Sequence, residues 1–565
     1  MGEGSTERTQ LTARIPIVVT LREYRRDAFR PDLVAGVVLA TMLVPQGMAY
    51  AELTGLPAVT GIYTTIAALV AYAAFGPNRR LVLGPDSSLA PVIAAVIIPL
   101  AASPGEAVAL ASAMSIIAGL VCVMSGFLRL GVVTELLSKP IRIGYLNGIA
   151  VLIFLSQVPK ALGIEVDAET TLELLGATVE AIADEEAVAA TTAIALASIV
   201  VILVLNRMSR LRPGVIVAAV ASIVAVTVFG LQVDVVGDIP RGLPPLTFPE
   251  VDLGTLPALI GGALAVVLVS FADTGALSTA TALKAGEKVD PNSEIKALGA
   301  ANLLSGLFQG FATSASSSRT AVALAVGSRT QVAGLVAAAG VIVIVLVLPG
   351  LVSDMPQPTL AAIVITASFS LFDWDGWRWL LRVRRSEFLL SLAAALAVLV
   401  VGVLEGIGIA IVLSLANFIR RSWRPHSTEL GKVAGVPGYH DRGRHPEAAT
   451  IEGLLIIRYD APLFFANAPD FGRTLQEMLR EAGRPIQRVL VVGNAITDID
   501  STGAEILTDV LDELADRRID FAFAGLKGPV KDRLRAYGLY DMIGDESFFP
   551  NTISAVAAHR TEQAG

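Results

Sequence analysis

The chain has 565 residues, 54% of them hydrophobic and only 17% charged, and a formal net charge of −8. Its mean hydropathy is +0.66. An average soluble domain carries about 25% charged residues, so the composition excludes an ordinary water-soluble protein. The single cysteine, Cys122, lies inside an apolar run, and the four histidines all fall in the last quarter with no ligand spacing. An intrachain disulfide and a metal site are therefore not expected.

In chain order, residues 1–30 form an N-terminal segment whose first dozen residues are polar and expected to be disordered. It lacks the short apolar stretch and small-residue cleavage site of a signal peptide. A spanning helix needs about 20 mostly apolar residues to cross a hydrocarbon core about 30 Å thick. Apolar segments recur at 33–50, 57–75, 83–101, 106–128, 132–155, 187–206, 213–230, 256–283, 294–311, 315–328, 331–349, 359–372, 386–402 and 404–420. They predict a transmembrane domain of fourteen segments over 31–420. Residues 421–450 are polar and contain Pro and Gly, and read as a linker. In the tail, 451–562, short strands at Ile451–Tyr459, Leu463–Ala466, Val489–Val492 and Phe521–Ala524 alternate with helical patterns at 468–482, 501–517 and 528–537. That alternation predicts a small α/β domain. The tail has no G-x-x-x-x-G-K-[ST] loop, so it is not a nucleotide-powered motor by that criterion.

Loop charge orients the segments, because cytoplasmic loops carry an excess of Lys and Arg. With the N-terminus inside, the even-numbered loops hold Arg79, Arg80, Arg129, Lys139, Arg142, Arg207, Arg210, Arg212, Lys284, Lys288, Arg329, Arg378, Arg382, Arg384 and Arg385. The long loops on the other side hold only Lys160 and Arg241 and are acidic, with Glu165, Asp167, Glu169, Glu173, Asp184, Glu185, Glu186, Asp234 and Asp252. The expected location is the inner (plasma) membrane, with both the N-terminus and the tail domain in the cytoplasm.

Polar residues at membrane depth are costly and usually functional. The third segment opens Leu83-Gly84-Pro85-Asp86-Ser87-Ser88 and the tenth Ala312-Thr313-Ser314-Ala315-Ser316-Ser317-Ser318-Arg319. Both place an interrupted, serine-rich entry before a short apolar helix, seven segments apart. Paired broken helices mark binding sites in inverted-repeat transporters, and helix N-termini present N–H groups and partial positive charge to an anion. Helix capping uses the same groups. Arg319 either draws the anion or pairs with a carboxylate such as Asp273. Asp273, in turn, either binds a cation or proton that travels with the anion or is only the counter-ion of Arg319. In the first segment Gln46 and Tyr50 are four apart and share a helix face, either lining a polar cavity or packing on a neighbour.

Several stretches resemble the SulP sulfate-permease family. They are Val44-Pro45-Gln46-Gly47-Met48-Ala49-Tyr50 with the run to Arg80, Leu83–Ser88, Val289–Asn302 and Gly310–Ala321. The tail resembles a STAS domain. The resemblance implies an α-helical polytopic membrane protein of seven-plus-seven inverted repeats, with core and gate domains, an elevator-like transport movement and a homodimer. It implies a pocket lined by Gln46, Tyr50, Ser87, Ser88, Ser317, Ser318 and Arg319, with Asp273 at the position that helps bind sodium in bicarbonate-transporting members. Those members carry a threonine four residues further on, where this chain has Leu277 with Ser278 beside it. An acid after the Gly-Pro pair, here Asp86, resembles bacterial members assigned to sulfate. Asp498-Ile499-Asp500-Ser501-Thr502-Gly503 resembles the STAS D-S-[ST]-G motif, in which the residue matching Thr502 is phosphorylated in soluble relatives; Asp, Ser and Thr at that place also suit a helix cap.

The expected activity is secondary active transport of an inorganic oxyanion, sulfate ahead of bicarbonate and dicarboxylates, coupled to H+, with a Na+-coupled bicarbonate or dicarboxylate transporter as the alternative. The competing readings are an uncoupled anion channel or exchanger, and an anion sensor signalling through the tail. No enzyme activity, cofactor or nucleic-acid partner is expected; the partners are the small anion, the coupling ion, the lipid bilayer and a second copy of the chain.

Overall fold

The computed structural model describes residues 16–130, 138–166, 168, 170–184, 186–208, 214–237 and 242–564. The polar first dozen residues and the loop charges Asp167, Glu169, Glu185, Arg210, Arg212 and Arg241 lie outside the described residues. The chain divides into two compact units, 1–414 and 415–565.

The first unit is helical, and each of the fourteen apolar segments contains a helix. These are α1 (Arg26–Leu53), α2 (Ala58–Phe75), α3 (Ala90–Ile97), α4 (Pro104–Phe127), α5 (Lys139–Leu162), α6 (Ala189–Met208), α7 (Gly214–Phe229), α8 (Leu256–Lys284), α9 (Pro291–Leu307), α10 (Ser317–Val326), α11 (Val332–Val347), α12 (Gln357–Leu371), α13 (Arg385–Val400) and α14 (Val403–Trp423). Among the described residues seven helices are long and apolar enough to cross a membrane, and α7 and α11 are shorter apolar helices. The third and tenth segments do not start as helices. Each begins with a two-residue strand, β1 (Leu83–Gly84) and β2 (Ser314–Ala315), and the two strands pair antiparallel.

The packing repeats with a shift of seven helices. α1 packs on α11 as α8 packs on α4, and α1 packs on α10 as α8 packs on α3. α4 meets α9 as α11 meets α2, and α5 meets α13 as α12 meets α6. The pairs α2·α9 and α5·α12 join equivalent helices to each other. This is the contact pattern of two repeats related by a two-fold axis. An antiparallel β1–β2 pair is what such an axis demands, since it reverses the direction of equivalent strands. α1–α4 with α8–α11 form one group, the core; α5–α7 with α12–α14 form the other, the gate.

Helices in lipid associate through close backbone packing, not hydrophobic expulsion, so small residues mark the tight crossings. α1 crosses α2 where a Cβ on Gly61 would lie 1.8 Å from the Gly47 carbonyl oxygen. Gly47 sits between Gln46 and Tyr50, so this crossing also fixes where those side chains point.

The second unit is a six-stranded sheet in the order β4-β3-β5-β6-β7-β8. The strands are β3 (Ser427–Gly431), β4 (His440–Asp441), β5 (Gly453–Tyr459), β6 (Ile486–Val492), β7 (Asp520–Ala524) and β8 (Phe548–Phe549). Pairing from β5 to β8 is parallel, whereas β3 is antiparallel to both of its neighbours. Between and after the strands come α15 (Ala468–Glu481), α16 (Ser501–Asp516), α17 (Gly528–Ala536) and α18 (Thr552–Ala564).

Two expectations are corrected here. The stretch 421–450 is not a plain linker, because 427–431 and 440–441 are sheet strands. Their polar composition hid an alternation in which Thr428 and Leu430 are buried while Glu429 forms ion pairs with Arg442 and Arg484. Nor is Leu463–Ala466 a strand; only Leu463 forms a bridge, to Ile499, and the chain then turns into α15.

Asp441 ties the β3–β4 edge together. It accepts hydrogen bonds from the Thr428 hydroxyl at 2.7 Å and the Gly443 N–H at 2.8 Å, and pairs with His426 at 2.9 Å. The Thr428 bond first, then the other partners, hold its carboxyl down to about 2.

Two outcomes are expected. Gly61→Ala overpacks the α1–α2 crossing and destabilises the detergent-purified protein by about 1–3 kcal/mol, read as a lowered melting temperature. The folded-state pKa of Asp441 lies below its unfolded value, so its contribution is full above about pH 4 and is lost as pH falls towards 2. Asp441→Asn therefore narrows the stability gap between neutral and acid solution in circular-dichroism melts; an unchanged gap refutes this.

Candidate functional site

Breaking a helix at membrane depth frees backbone groups that no water can satisfy. The freed groups of the third and tenth segments are paired with each other and with side chains of the core. The Ser316 N–H donates to the Val82 carbonyl at 3.1 Å, and the Val82 N–H donates to the Thr320 hydroxyl at 3.1 Å. The Ala315 N–H donates to Thr274 Oγ1 at 3.1 Å and the Thr313 N–H to Asn302 Oδ1 at 2.8 Å. The Phe311 N–H donates to Thr64 Oγ1 at 3.0 Å. Threonines and an asparagine buried on α2, α8, α9 and α10 thus hold the crossing rigid.

A cavity of about 800 Å³ adjoins this crossing. Gln46 and Tyr50 line it from α1, Ser87 and Ser88 from the entry to α3, and Ser317 and Ser318 from α10. Asp273 lines it from the middle of α8. Ser317 and Ser318 are exposed to the cavity, while Tyr50 and Ser88 are buried in its wall. α10 begins with no side-chain cap on its first turn, so its N–H groups remain for a ligand. Hydroxyl, amide and N–H donors therefore converge from three elements.

Arg319 does not line the cavity with these residues. Its side chain is 1% exposed and lies 3.5 Å from Asp86, not Asp273. The guanidinium packs behind β1, where a Cβ on Gly84 would lie 2.9 Å from its Nη1. Glycine in the Leu83-Gly84-Pro85-Asp86 run thus makes room for a buried cation. Asp86 itself lines the cavity, and its Oδ1 accepts from the Ser88 N–H at 3.0 Å and hydroxyl at 2.8 Å. One carboxylate at the site is thus paired from behind. Among the described residues Asp273 forms no ion pair.

Two loop charges, and two residues with no role expected from the sequence, also belong to this region. Lys139 and Arg142, read only as loop charges, line the same cavity from the first turn of α5, with Asn206 at the end of α6. With Asp373, which also lines the cavity, they leave one net positive charge on the gate side, which favours entry of an anion. Their place in the cavity could not be read from sequence, because the positive-inside pattern already accounted for them. Glu294 was passed over inside a quoted motif. It is buried and accepts from the Tyr72 hydroxyl at 2.6 Å and the Ser278 hydroxyl at 2.7 Å. Ser278 is thus turned away from the cavity, and Leu277 lines it instead.

In the second unit, Asp500 caps α16 by accepting from the Gly503 N–H at 2.7 Å. Thr502 lies in the first turn and is half-buried. Asp498 pairs with Arg533 at 2.7 Å. No cluster of potential metal ligands occurs among the described residues.

The sequence model of the sulfate permease family matches residues 29–394, and that of the STAS domain matches 445–555. A probable sulfate transporter of Mycobacterium tuberculosis is 37% identical, covering 96% of this chain and 98% of that protein. A chloroplastic sulfate transporter of Arabidopsis thaliana is 29% identical over 95% of this chain and 81% of its own. Among solved structures, the murine Solute Carrier 26 family member A9 anion transporter superposes with a TM-score of 0.88 at 20% identity, over 98% of this chain and 95% of that chain. The transmembrane domain of a cyanobacterial bicarbonate transporter gives 0.60 at 24% identity, over 69% of this chain and 98% of that chain.

Breaking the Asp86–Arg319 pair leaves an uncompensated charge in the largely buried cavity wall, worth up to about 3–5 kcal/mol. Arg319→Gln is expected to lower the melting temperature and folded yield, and Asp86→Asn in the same chain to restore part of the loss. A double variant no better folded than Arg319→Gln would mean that the two charges are not coupled.

Proposed function

Because the chain belongs to the sulfate permease family and carries a STAS domain, we propose that it transports sulfate across the inner (plasma) membrane, coupled to protons, with the STAS domain in the cytoplasm. The observation that carries this reading is the cavity beside two broken helices, lined by hydroxyl donors and entered past Lys139 and Arg142. A tetrahedral oxyanion accepts many hydrogen bonds, and a charge-assisted bond contributes about 1.5–3 kcal/mol. Gln46, Tyr50, Ser87, Ser88, Ser317 and Ser318 are the proposed ligands, with first-turn N–H groups of α10. Arg319 acts at one remove: it neutralises Asp86, so the cavity wall does not repel the substrate.

Asp273 is the proposed coupling group. A carboxylate without an ion pair, in the same cavity as a divalent anion, favours taking up a proton when the anion binds. Leu277 in the wall supplies no oxygen for sodium, which favours the proton. The core and gate pack as two separate helix groups, and we infer that the core slides against the gate, carrying the site in an elevator-type movement. A homodimer and modification of Thr502 complete the proposal.

Labelled sulfate uptake into proteoliposomes under an imposed proton gradient tests the reading. Uptake above equilibrium is expected, with Ser88→Ala and Ser318→Ala each raising KM about tenfold or more. Asp273→Asn should keep sulfate exchange and lose accumulation. Flux that never exceeds equilibrium in wild type would make the protein a channel or exchanger instead.

A further inference from the structure

The bundle holds a second cavity, of about 680 Å³, at the other end of the core–gate boundary. α5 establishes the separation. Lys139, in its first turn, lines the sulfate cavity, and Lys160, in its last turn, lines the second. At 1.5 Å per residue the 24 residues of α5 extend about 36 Å, a full membrane thickness. α1 brings the cavities close together: Tyr50 lines the first and Glu52 the second, a rise of only about 3 Å along the helix. The two cavities thus meet the same turn of α1, from roughly opposite faces of the helix.

Glu52 is half-buried on the core side of the second cavity, and Lys160 is exposed on the gate side. Among the described residues they form no ion pair. Tyr63 of α2 is the other titratable group in the wall; α4 contributes Val108, the segment before α8 contributes Val236, Leu243 and Pro245, and Gln309 and Gln357 complete the polar lining. The Gln309 amide is spent on Thr247 at 3.0 Å and the Thr60 hydroxyl on the Pro57 carbonyl at 2.8 Å. Lys160, Tyr63 and Gln357 remain as donors for an anion, with Glu52 as the one group that repels it.

We propose that this cavity is the outer antechamber for a divalent oxyanion and that Glu52 is its charge gate. Ionised, Glu52 holds the dianion away from the turn of α1 that leads to Tyr50. Protonated from the outer solution, it becomes a hydrogen-bond donor, and Lys160 draws the anion in. Glu52 therefore sets the pH dependence of entry, separately from Asp273, which sets accumulation. The inference rests on the transport reading above for its substrate and for which end faces out.

Exchange of labelled sulfate at equal concentration inside and outside proteoliposomes removes any coupling gradient. With pH kept equal on the two sides, wild-type KM for outer sulfate is expected to fall severalfold as both solutions go from neutral to mildly acidic. Glu52→Gln should give the low KM at both pH values, and Lys160→Gln a raised KM at both. A wild-type pH profile in Glu52→Gln, no pH effect in wild type, or an unchanged KM in Lys160→Gln overturns the proposal. A second measurement needs no transport. The only cysteine, Cys122, is buried, so Leu243→Cys reports on the cavity alone. Glu52→Gln should raise severalfold the ratio of its reaction rates with impermeant anionic and cationic methanethiosulfonates; an unchanged ratio refutes the gate. If wild type exchanges no sulfate, the substrate reading falls, while the thiol ratio still decides the gate.

Discussion

The structure of the transport unit depends on a pair of two-residue strands in the middle of a helical bundle. Unpaired backbone groups cost several kcal/mol each in hydrocarbon, so two helices can begin at membrane depth only if something absorbs what precedes them. β1 and β2 absorb each other, and Thr274, Thr320, Asn302 and Thr64 take the remaining N–H groups. Once this crossing is held, the half-helices α3 and α10 start at the same depth. Their serines meet in one cavity, and the two repeats share an axis.

The same constraint explains why certain residues could be read from the sequence and others could not. Gly-Pro-Asp-Ser-Ser and Ser-Ser-Ser-Arg interrupt apolar runs, and an interruption at membrane depth is a strong signal whatever surrounds it. Ser87, Ser88, Ser317 and Ser318 were therefore legible, as were Gln46 and Tyr50 through their helical spacing. The position of Arg319 was not. Its neighbours in sequence line the cavity, but the helical turn points its side chain the other way, towards the space Gly84 leaves. Which carboxylate it pairs with is a matter of three-dimensional distance: Asp273 was the expected partner, and Asp86 is the one within reach. Lys139 and Arg142 carried a signal already used for topology. In the STAS domain the buried strands β5, β6 and β7 read clearly because they are continuous apolar runs, whereas β3 is an edge-side strand whose polar face masks its period of two.

The seven-helix shift in packing divides the bundle into the two bodies that the proposed movement requires. α2·α9 and α5·α12 each join equivalent helices of the two repeats, one pair inside the core and one inside the gate. Each group is thus stitched across the axis within itself. The core is further fixed by backbone-close crossings such as Gly47–Gly61 and by the Tyr72–Glu294–Ser278 hydrogen bonds. A body so tied moves as a unit more readily than it bends.

Charge accounting at the cavity then limits what the cargo can be. Asp86 and Arg319 cancel, one in the wall and one behind it, so the pair offers a dipole and not a net charge. Lys139 is exposed, while Arg142 is half-buried in the lining. On the core side Asp273 is the remaining acid, facing Arg142 without forming an ion pair with it, and Asp373 is a further acid in the lining. A monovalent anion could share the cavity with Asp273 at modest cost, but a divalent one multiplies the repulsion in a medium that screens poorly. Protonating Asp273 removes that repulsion at the cost of a single proton, which the anion itself makes favourable. In the proposed reading, proton coupling follows from placing a dianion beside a carboxylate that forms no ion pair, with no dedicated cation site required.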